Sequence, residues 1–165
     1  MKRRAILTSL AAAAGTSMAG APPSKPLLTI SGRIGCANNK TNNTYDFSES
    51  ALLNLPQFSI KTSTPWTPTA VFAGPLLLVV MRAACVTSGT LNMRGLDGYS
   101  TPIPWGDLVN YGVILALSQD GQRLRPNRWG PLWTIYPRDQ YPQALKGPVA
   151  ESRFIWQVIK IEVSA

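Results

Sequence analysis

The aromatic residues carry most of the binding chemistry in this sequence. Five tryptophans and five tyrosines fall mainly beside glycine, proline and polar residues, outside the periodic apolar faces. Trp66 lies in Thr64-Pro65-Trp66-Thr67-Pro68, Trp129 and Trp133 frame Gly130-Pro131-Leu132, and Trp156 stands between Arg153-Phe154-Ile155 and Gln157. An aromatic ring on a proline-stiffened loop is a stacking platform for a flat heterocycle; partial burial in the core is the alternative for each tryptophan. Asp97 follows an apolar strand pattern and precedes Gly98-Tyr99. A carboxylate there can accept two parallel N–H bonds from an amino-pyrimidine edge, and an aspartate before glycine is equally a turn former. Arg128, Arg138 and Arg153 are candidate donors to an acidic or carbonyl-bearing ligand, and otherwise solvated surface charge.

What is missing narrows the chemistry further. The chain has no histidine, which removes the commonest general base and the commonest metal ligand. There is no G-x-S-x-G elbow, and no glycine-rich phosphate loop of the Rossmann or Walker type. Two isolated cysteines, Cys36 and Cys85, cannot build a zinc site. Cys85 sits in an apolar helical pattern and should pack there; Cys36, in an exposed-looking loop, could pair with it. No residue is assigned to catalysis or to a metal.

The elements that must position these side chains are short strands with few helices. Leu27 to Ile34 alternates as a strand, and Asn38 to Thr44 is a polar loop. Ser48 is placed to cap a helix running to Leu55, which Pro56 stops. Phe58, Ile60 and Thr62 alternate on one face, and Val71 to Ala73 is a further strand. Gly74-Pro75 leads into a helix from Leu76 to about Cys85. Leu91 to Gly95 and Ser100 to Pro104 flank Asp97-Gly98 as strands, followed by a helix over Trp105 to Asn110. Val113 to Ser118 and Gln122 to Arg125 flank Asp120-Gly121, a strong hairpin signal. Pro131 to Tyr136 and Ile155 to Val163 are the closing strands. The sum is one β-rich α+β domain.

Lys2-Arg3-Arg4, the apolar stretch Ala5 to Ala14 and the small residues Ser17-Met18-Ala19 read as a secretory signal peptide over residues 1–19, and so as a periplasmic location. The arginine pair also resembles a twin-arginine export signal. Residues 20–26 form a proline-rich linker, and 27–165 the domain. Beyond the signal, no apolar run is long enough to span a bilayer. Without Lys2, Arg3 and Arg4 the formal charge falls from +8 to about +5, with the remaining cations scattered, so nucleic-acid binding is excluded. An anionic small ligand or an acidic partner surface stays compatible.

An ordered series of motifs carries a family resemblance. Asp97-Gly98-Tyr99-Ser100 with Ile103-Pro104, then Asp120-Gly121-Gln122-Arg123-Leu124, Gly130-Pro131-Leu132, Tyr136-Pro137, and Ser152-Arg153 with Trp156 and Lys160-Ile161-Glu162-Val163, together resemble the molybdopterin-binding domain of the sulfite-oxidase fold. The resemblance runs from about Leu27 to Val163 and implies a β-rich α+β fold. In catalytic members a cysteine just after the strand corresponding to Gln57–Ser63 ligates molybdenum; this chain reads Thr62-Ser63-Thr64-Pro65-Trp66. The stretch that carries a histidine in those members is Asn127-Arg128-Trp129, and their lysine before the last-strand tryptophan is Ile155.

With its Thr-Pro-Trp and Ser-Arg-x-x-Trp-Gln patterns, the chain is similar instead to short exported members that resemble pterin-binding periplasmic regulators. That resemblance implies a non-enzymatic sensor. It would bind a reduced pterin without metal and regulate, by contact, a membrane-bound diguanylate cyclase or phosphodiesterase of cyclic-di-GMP signalling. In that reading Trp66 or Trp129 stacks on the pterin, Asp97 takes its donor pair, and Arg153, Gln157 or a backbone N–H meets its carbonyl. Tyr99 closes the rim, and Trp156 joins the same site. The competing readings are a molybdopterin-dependent oxidoreductase domain lacking the usual cysteine ligand, and a ligand-free adaptor.

Overall fold

A computed structural model describes residues 25–165; the expected signal peptide and residues 20–24 of the expected linker lie outside the described residues. Strand β1 (Leu28–Gly32) and strand β2 (Tyr45–Phe47) pair antiparallel. The polar loop between them is tied by Asn38, Asn39 and Thr44, all bonded to Asp46. Ser48 caps α1 (Glu49–Leu53), its Oγ accepting from the Ala51 N–H at 3.1 Å. The helix stops at Leu53, short of the expected Leu55, because residues just before a proline avoid helical geometry.

Strands β3 (Gln57–Thr62) and β4 (Ala70–Pro75) form an antiparallel pair with Ile60 opposite Phe72. Helix α2 (Leu77–Ala83) is shorter than the pattern implies. Cys85 has a left-handed φ of 56°; it has left the helix and forms a disulfide with Cys36, with Cα atoms 5.2 Å apart. The expectation that Cys85 packs as a helical residue is therefore corrected. β5 (Thr90–Gly95) and β6 (Ser100–Pro104) flank the Asp97-Gly98 turn, and α3 (Trp105–Tyr111) ends on left-handed Gly112.

β7 (Ile114–Ala116) precedes the small hairpin β8 (Ser118–Gln119) and β9 (Gln122–Arg123). Asp120 and Gly121 both have positive φ there, as a two-residue hairpin turn requires. β10 (Trp133–Ile135), the single turns α4 (Pro142–Leu145) and α5 (Pro148–Glu151), and β11 (Val158–Ser164) complete the order. β2, α4 and α5 have no counterpart in the sequence reading. Each spans only one turn or three residues, too short for a periodic signal.

The strands form a five-stranded sheet in the order β2-β1-β11-β5-β6, a β10-β7 pair, and a four-stranded sheet β3-β4-β8-β9. In the large sheet β11 runs parallel to β1 and antiparallel to β5, which sets Ile30 beside Ile161 and Ile161 beside Met93. All three are fully buried. β4 meets β7 so closely at Gly74 that a Cβ there would overlap the Leu115 carbonyl. Trp133 is fully buried, with Phe72 edge-on at 5.4 Å and its indole N–H donating to the Phe154 carbonyl at 3.0 Å. The arrangement is a β-rich α+β domain. Among the described residues no helix is long and apolar enough to cross a membrane.

Candidate functional site

Three loops meet at the ends of strands to form an aromatic cleft of about 290 Å³. The first follows β3. Thr64 Oγ1 accepts from the backbone N–H groups of Trp66 at 3.2 Å and Thr67 at 3.0 Å, and the Thr64 N–H donates to the Thr67 carbonyl. This side-chain-closed turn holds Trp66 out from the sheet, with 44% of its surface exposed. The second loop is the β5–β6 turn bearing Asp97 and Tyr99. The third is Ser152–Trp156, whose Phe154 and Ile155 are buried beneath the opening.

The rings of Trp66 and Trp156 meet edge to face, 4.5 Å between centroids, the geometry that the ring quadrupoles favour. The Tyr99 hydroxyl reaches the Ser152 carbonyl at 3.5 Å and bridges the second and third loops. The third loop is locked to β5 by the Leu96 N–H donating to the Gln157 carbonyl at 3.0 Å. Gly95 permits that approach, since a Cβ would stand 3.0 Å from both the Trp156 carbonyl oxygen and Asp97 Oδ1.

A buried triad braces the floor. Asp107 of α3 is only 8% exposed. Its Oδ2 accepts from the Tyr136 hydroxyl at 2.9 Å and from Arg153 Nη1 at 2.8 Å. Burial pushes the Tyr136 hydroxyl well above its ordinary pKa, with the Asp107 charge and hydrogen bond adding to the rise, so it stays a donor. The triad clamps the third loop onto α3 through Arg153.

Of the residues singled out from sequence, Trp66, Asp97, Tyr99 and Trp156 line this one cleft. Asp97 is a turn former as well as a wall residue: its Oδ1 accepts the Tyr99 N–H at 2.9 Å, leaving Oδ2 as the uncommitted acceptor among the described residues. Trp129 is not a wall of this cleft. It packs on Trp133 in a stacked geometry at 4.6 Å and meets Trp156 edge-on at 5.4 Å. Arg153 and Gln157 are not walls either. Arg153 is held by Asp107, and the Gln157 Nε2 donates to the Pro126 carbonyl at 2.6 Å. Asp107, Phe154 and Ile155 escaped the sequence reading, although the apolar pair beside Trp156 was a usable signal.

The end of β3 is a separate polar knot. The Ser63 hydroxyl donates to Asp139 Oδ1 and its N–H to Oδ2, both at 2.6 Å. Arg138 Nη1 donates back to Ser63 Oγ at 3.1 Å, while Nη2 pairs with Glu151 at 2.7 Å. The hydrogen bond from the Ser63 hydroxyl, with the Ser63 N–H and the Lys146 charge, holds the Asp139 carboxyl below its usual range. Arg138, helped by the Gly147 N–H, does the same to Glu151. Both cysteines of the chain are spent in the disulfide, so no thiolate is available here. Among the described residues no cluster of histidine, cysteine, aspartate and glutamate could hold a metal ion. The donor set at this strand end does not fit a thiolate-ligated molybdenum, since a hydroxyl committed to a carboxylate is no substitute for a soft anionic sulfur.

Residues 24–141 match the family described as oxidoreductase molybdopterin binding domain. Among solved structures, the sulfane dehydrogenase SoxCD from Paracoccus pantotrophus is similar, with a TM-score of 0.59 at 15% identity. The likeness covers 82% of this chain and 37% of that one, and at that identity it is a likeness of fold. No curated protein matches the chain. With the family match extending over more than half of the sequence and the sheet-rich architecture agreeing, this chain belongs to the oxidoreductase molybdopterin-binding domain family and has its sulfite-oxidase-type fold.

Proposed function

We propose that the protein is a periplasmic sensor that binds a reduced pterin without molybdenum in the aromatic cleft and signals through a protein partner. The observation that carries this reading is the cleft itself, where Trp66, Trp156 and Tyr99 surround apolar walls beside a single carboxylate, Asp97. A pterin is a flat bicycle with an amino group and ring N–H on one edge. Its face suits the tryptophans, and its donor edge suits the free Oδ2 of Asp97. Family membership favours a pterin-type ligand. The knot around Ser63 and the spent cysteines disfavour its metal-loaded form, and with it the oxidoreductase alternative.

Two further features support the rest of the proposal. A disulfide is a feature of oxidising compartments, which accords with export under the expected signal peptide. Trp66, Leu96 and Tyr99 leave large apolar surface exposed around the cleft, so a bound pterin and its rim would form one composite surface. That surface is what a membrane-bound cyclic-di-GMP cyclase or phosphodiesterase would read. Anaerobic calorimetric titration of the metal-free protein with a tetrahydropterin is expected to give saturable micromolar binding, weakened by Asp97→Asn, which removes charge but preserves the turn. Absence of saturable binding would overturn the proposal.

A further inference from the structure

The five-stranded sheet is apolar on its inner face and charged on its outer one. Met93, Ile103 and Ile161 are fully buried on the inner side, while the residues beside them in β5 and β11, Asn92, Arg94, Lys160 and Glu162, are half-buried or exposed. The register sets Arg94 directly opposite Lys160 of β11 on one side and opposite Ser100 of β6 on the other. Directly opposed side chains of an antiparallel pair are close neighbours, and two like charges there repel. No acid relieves the repulsion: among the described residues neither Arg94 nor Lys160 makes an ion pair. Glu162 stands two positions along β11, opposite Asn92, and pairs with neither cation. These five side chains line one shallow depression of about 260 Å³, so the guanidinium, the ammonium and the Ser100 hydroxyl share a single opening. Arg94 and Ser100 also flank the turn that carries Asp97 and Tyr99, which puts this face next to the rim of the aromatic cleft.

We propose that the protein partner docks on this outer face through an acidic segment whose carboxylates pair with Arg94 and Lys160. A guanidinium fork with an ammonium beside it matches two closely spaced carboxylates. Two cations held side by side without an acid are a cost to the free protein, and an acidic partner removes that cost on docking. Glu162 narrows the choice of occupant. About 7 Å along the strand from Lys160, it repels a broad anionic surface such as a lipid bilayer, which also needs a larger cluster of basic residues to hold a protein. The inference rests on the reading that the protein signals through a partner, and it names the surface and the chemistry of that contact; it does not require that the ligand of the cleft be a pterin.

The test titrates the ¹⁵N-labelled protein, at constant ionic strength, with a capped peptide carrying Glu-Ser-Glu between glycines, and with its Gln-Ser-Gln counterpart as control. Saturable amide shifts centred on Arg94, Ser100 and Lys160 are expected with the acidic peptide only. Affinity should fall on the order of tenfold in Arg94→Ala, as loss of one charge-assisted hydrogen bond implies, and binding should vanish in Lys160→Glu. The latter variant should also raise the urea midpoint, because opposite charges replace like ones across the strands; a lowered midpoint would overturn the inference by giving the pair a structural role. It is overturned equally if the acidic peptide does not saturate, if its shifts centre on exposed cations elsewhere such as Arg125 and Arg128, or if inorganic phosphate or phosphatidylglycerol vesicles reproduce the same shifts. Tetrahydropterin titrated into Lys160→Glu should bind as it does to the native protein. Failure of the pterin to bind either protein would therefore strike the proposed ligand, and failure of the peptide would strike the docking face.

Discussion

At Trp66 the loop after β3 offers a 44% exposed indole to an apolar cleft, whereas three residues earlier Ser63 has both its N–H and its hydroxyl bound to Asp139. The same stretch of chain therefore serves two regions of opposite character. At the knot every donor on Ser63 is used, and the arginine facing it is paired with Glu151, with only its buried Nε left unpartnered among the described residues. At the cleft the exposed face of Trp66 and one carboxylate oxygen of Asp97 are left for a ligand. The spent hydrogen bonds of Ser63 fix a backbone and have nothing further to give a ligand; an exposed ring face and a free acceptor are what a ligand can use. The difference separates a region that shapes the loop from one that can recognise a molecule.

The strongest test of this division strikes the brace beneath the cleft. Asp107→Ala strands the Arg153 guanidinium and the Tyr136 hydroxyl, and should cost about 3 kcal/mol of stability, as breaking a largely buried pair does. It should also weaken pterin binding, because Arg153 holds the third loop; chemical denaturation and calorimetry measure the two effects. Next in size, Trp66→Ala should lose roughly 1–3 kcal/mol of pterin affinity, taking base stacking as the guide, with little change in unfolding midpoint. Ser63→Ala should do the reverse, lowering stability by about 1 kcal/mol while affinity holds. If Ser63→Ala impaired binding as much as Trp66→Ala, the comparison would collapse.

The smallest effect expected is on pH dependence. Asp139 and Glu151 have pKa values lowered in the folded protein. The stability they contribute is present above the ordinary carboxylate range and is lost as pH falls through their lowered values. Both groups are open to solvent, so screening keeps the contribution small. Urea midpoints measured from pH 7 down to pH 3 should fall less steeply in Asp139→Asn than in the native protein. An unchanged slope would mean that the knot does not report on protonation at all.

Much of the framework was legible from local chemistry. Ser48 caps its helix, Asp120-Gly121 turns its hairpin, and Asp97-Gly98 turns between β5 and β6, because each depends on neighbours within a few residues. The aromatic walls could be anticipated for the same reason: Pro65 and Thr64 dictate how Trp66 is presented. What escaped were partners distant along the chain. Arg153 has the composition of a ligand donor, but Asp107, 46 residues away, claims it. The pairing of Cys85 with Cys36, 49 residues distant, stood only as an alternative to helical packing, because the apolar helical pattern gives no sign of the left-handed turn that brings them together. Ser63 and Asp139 meet across 76 residues, and nothing beside either one announces the other.

The position of β11 constrains the order in which the molecule can be assembled. It follows every other strand in the chain, yet it lies between β1 and β5. Until Val158–Ser164 has been synthesised, β1 with β2 and β5 with β6 are two half-sheets, each exposing an unpaired edge and an uncovered apolar face. Folding of the large sheet is thus a late event relative to translation, with the long-range pairing that slows such steps. A nascent chain of this kind keeps both half-sheets open until Val158–Ser164 has emerged, and their free edges are exposed to aggregation for that whole interval.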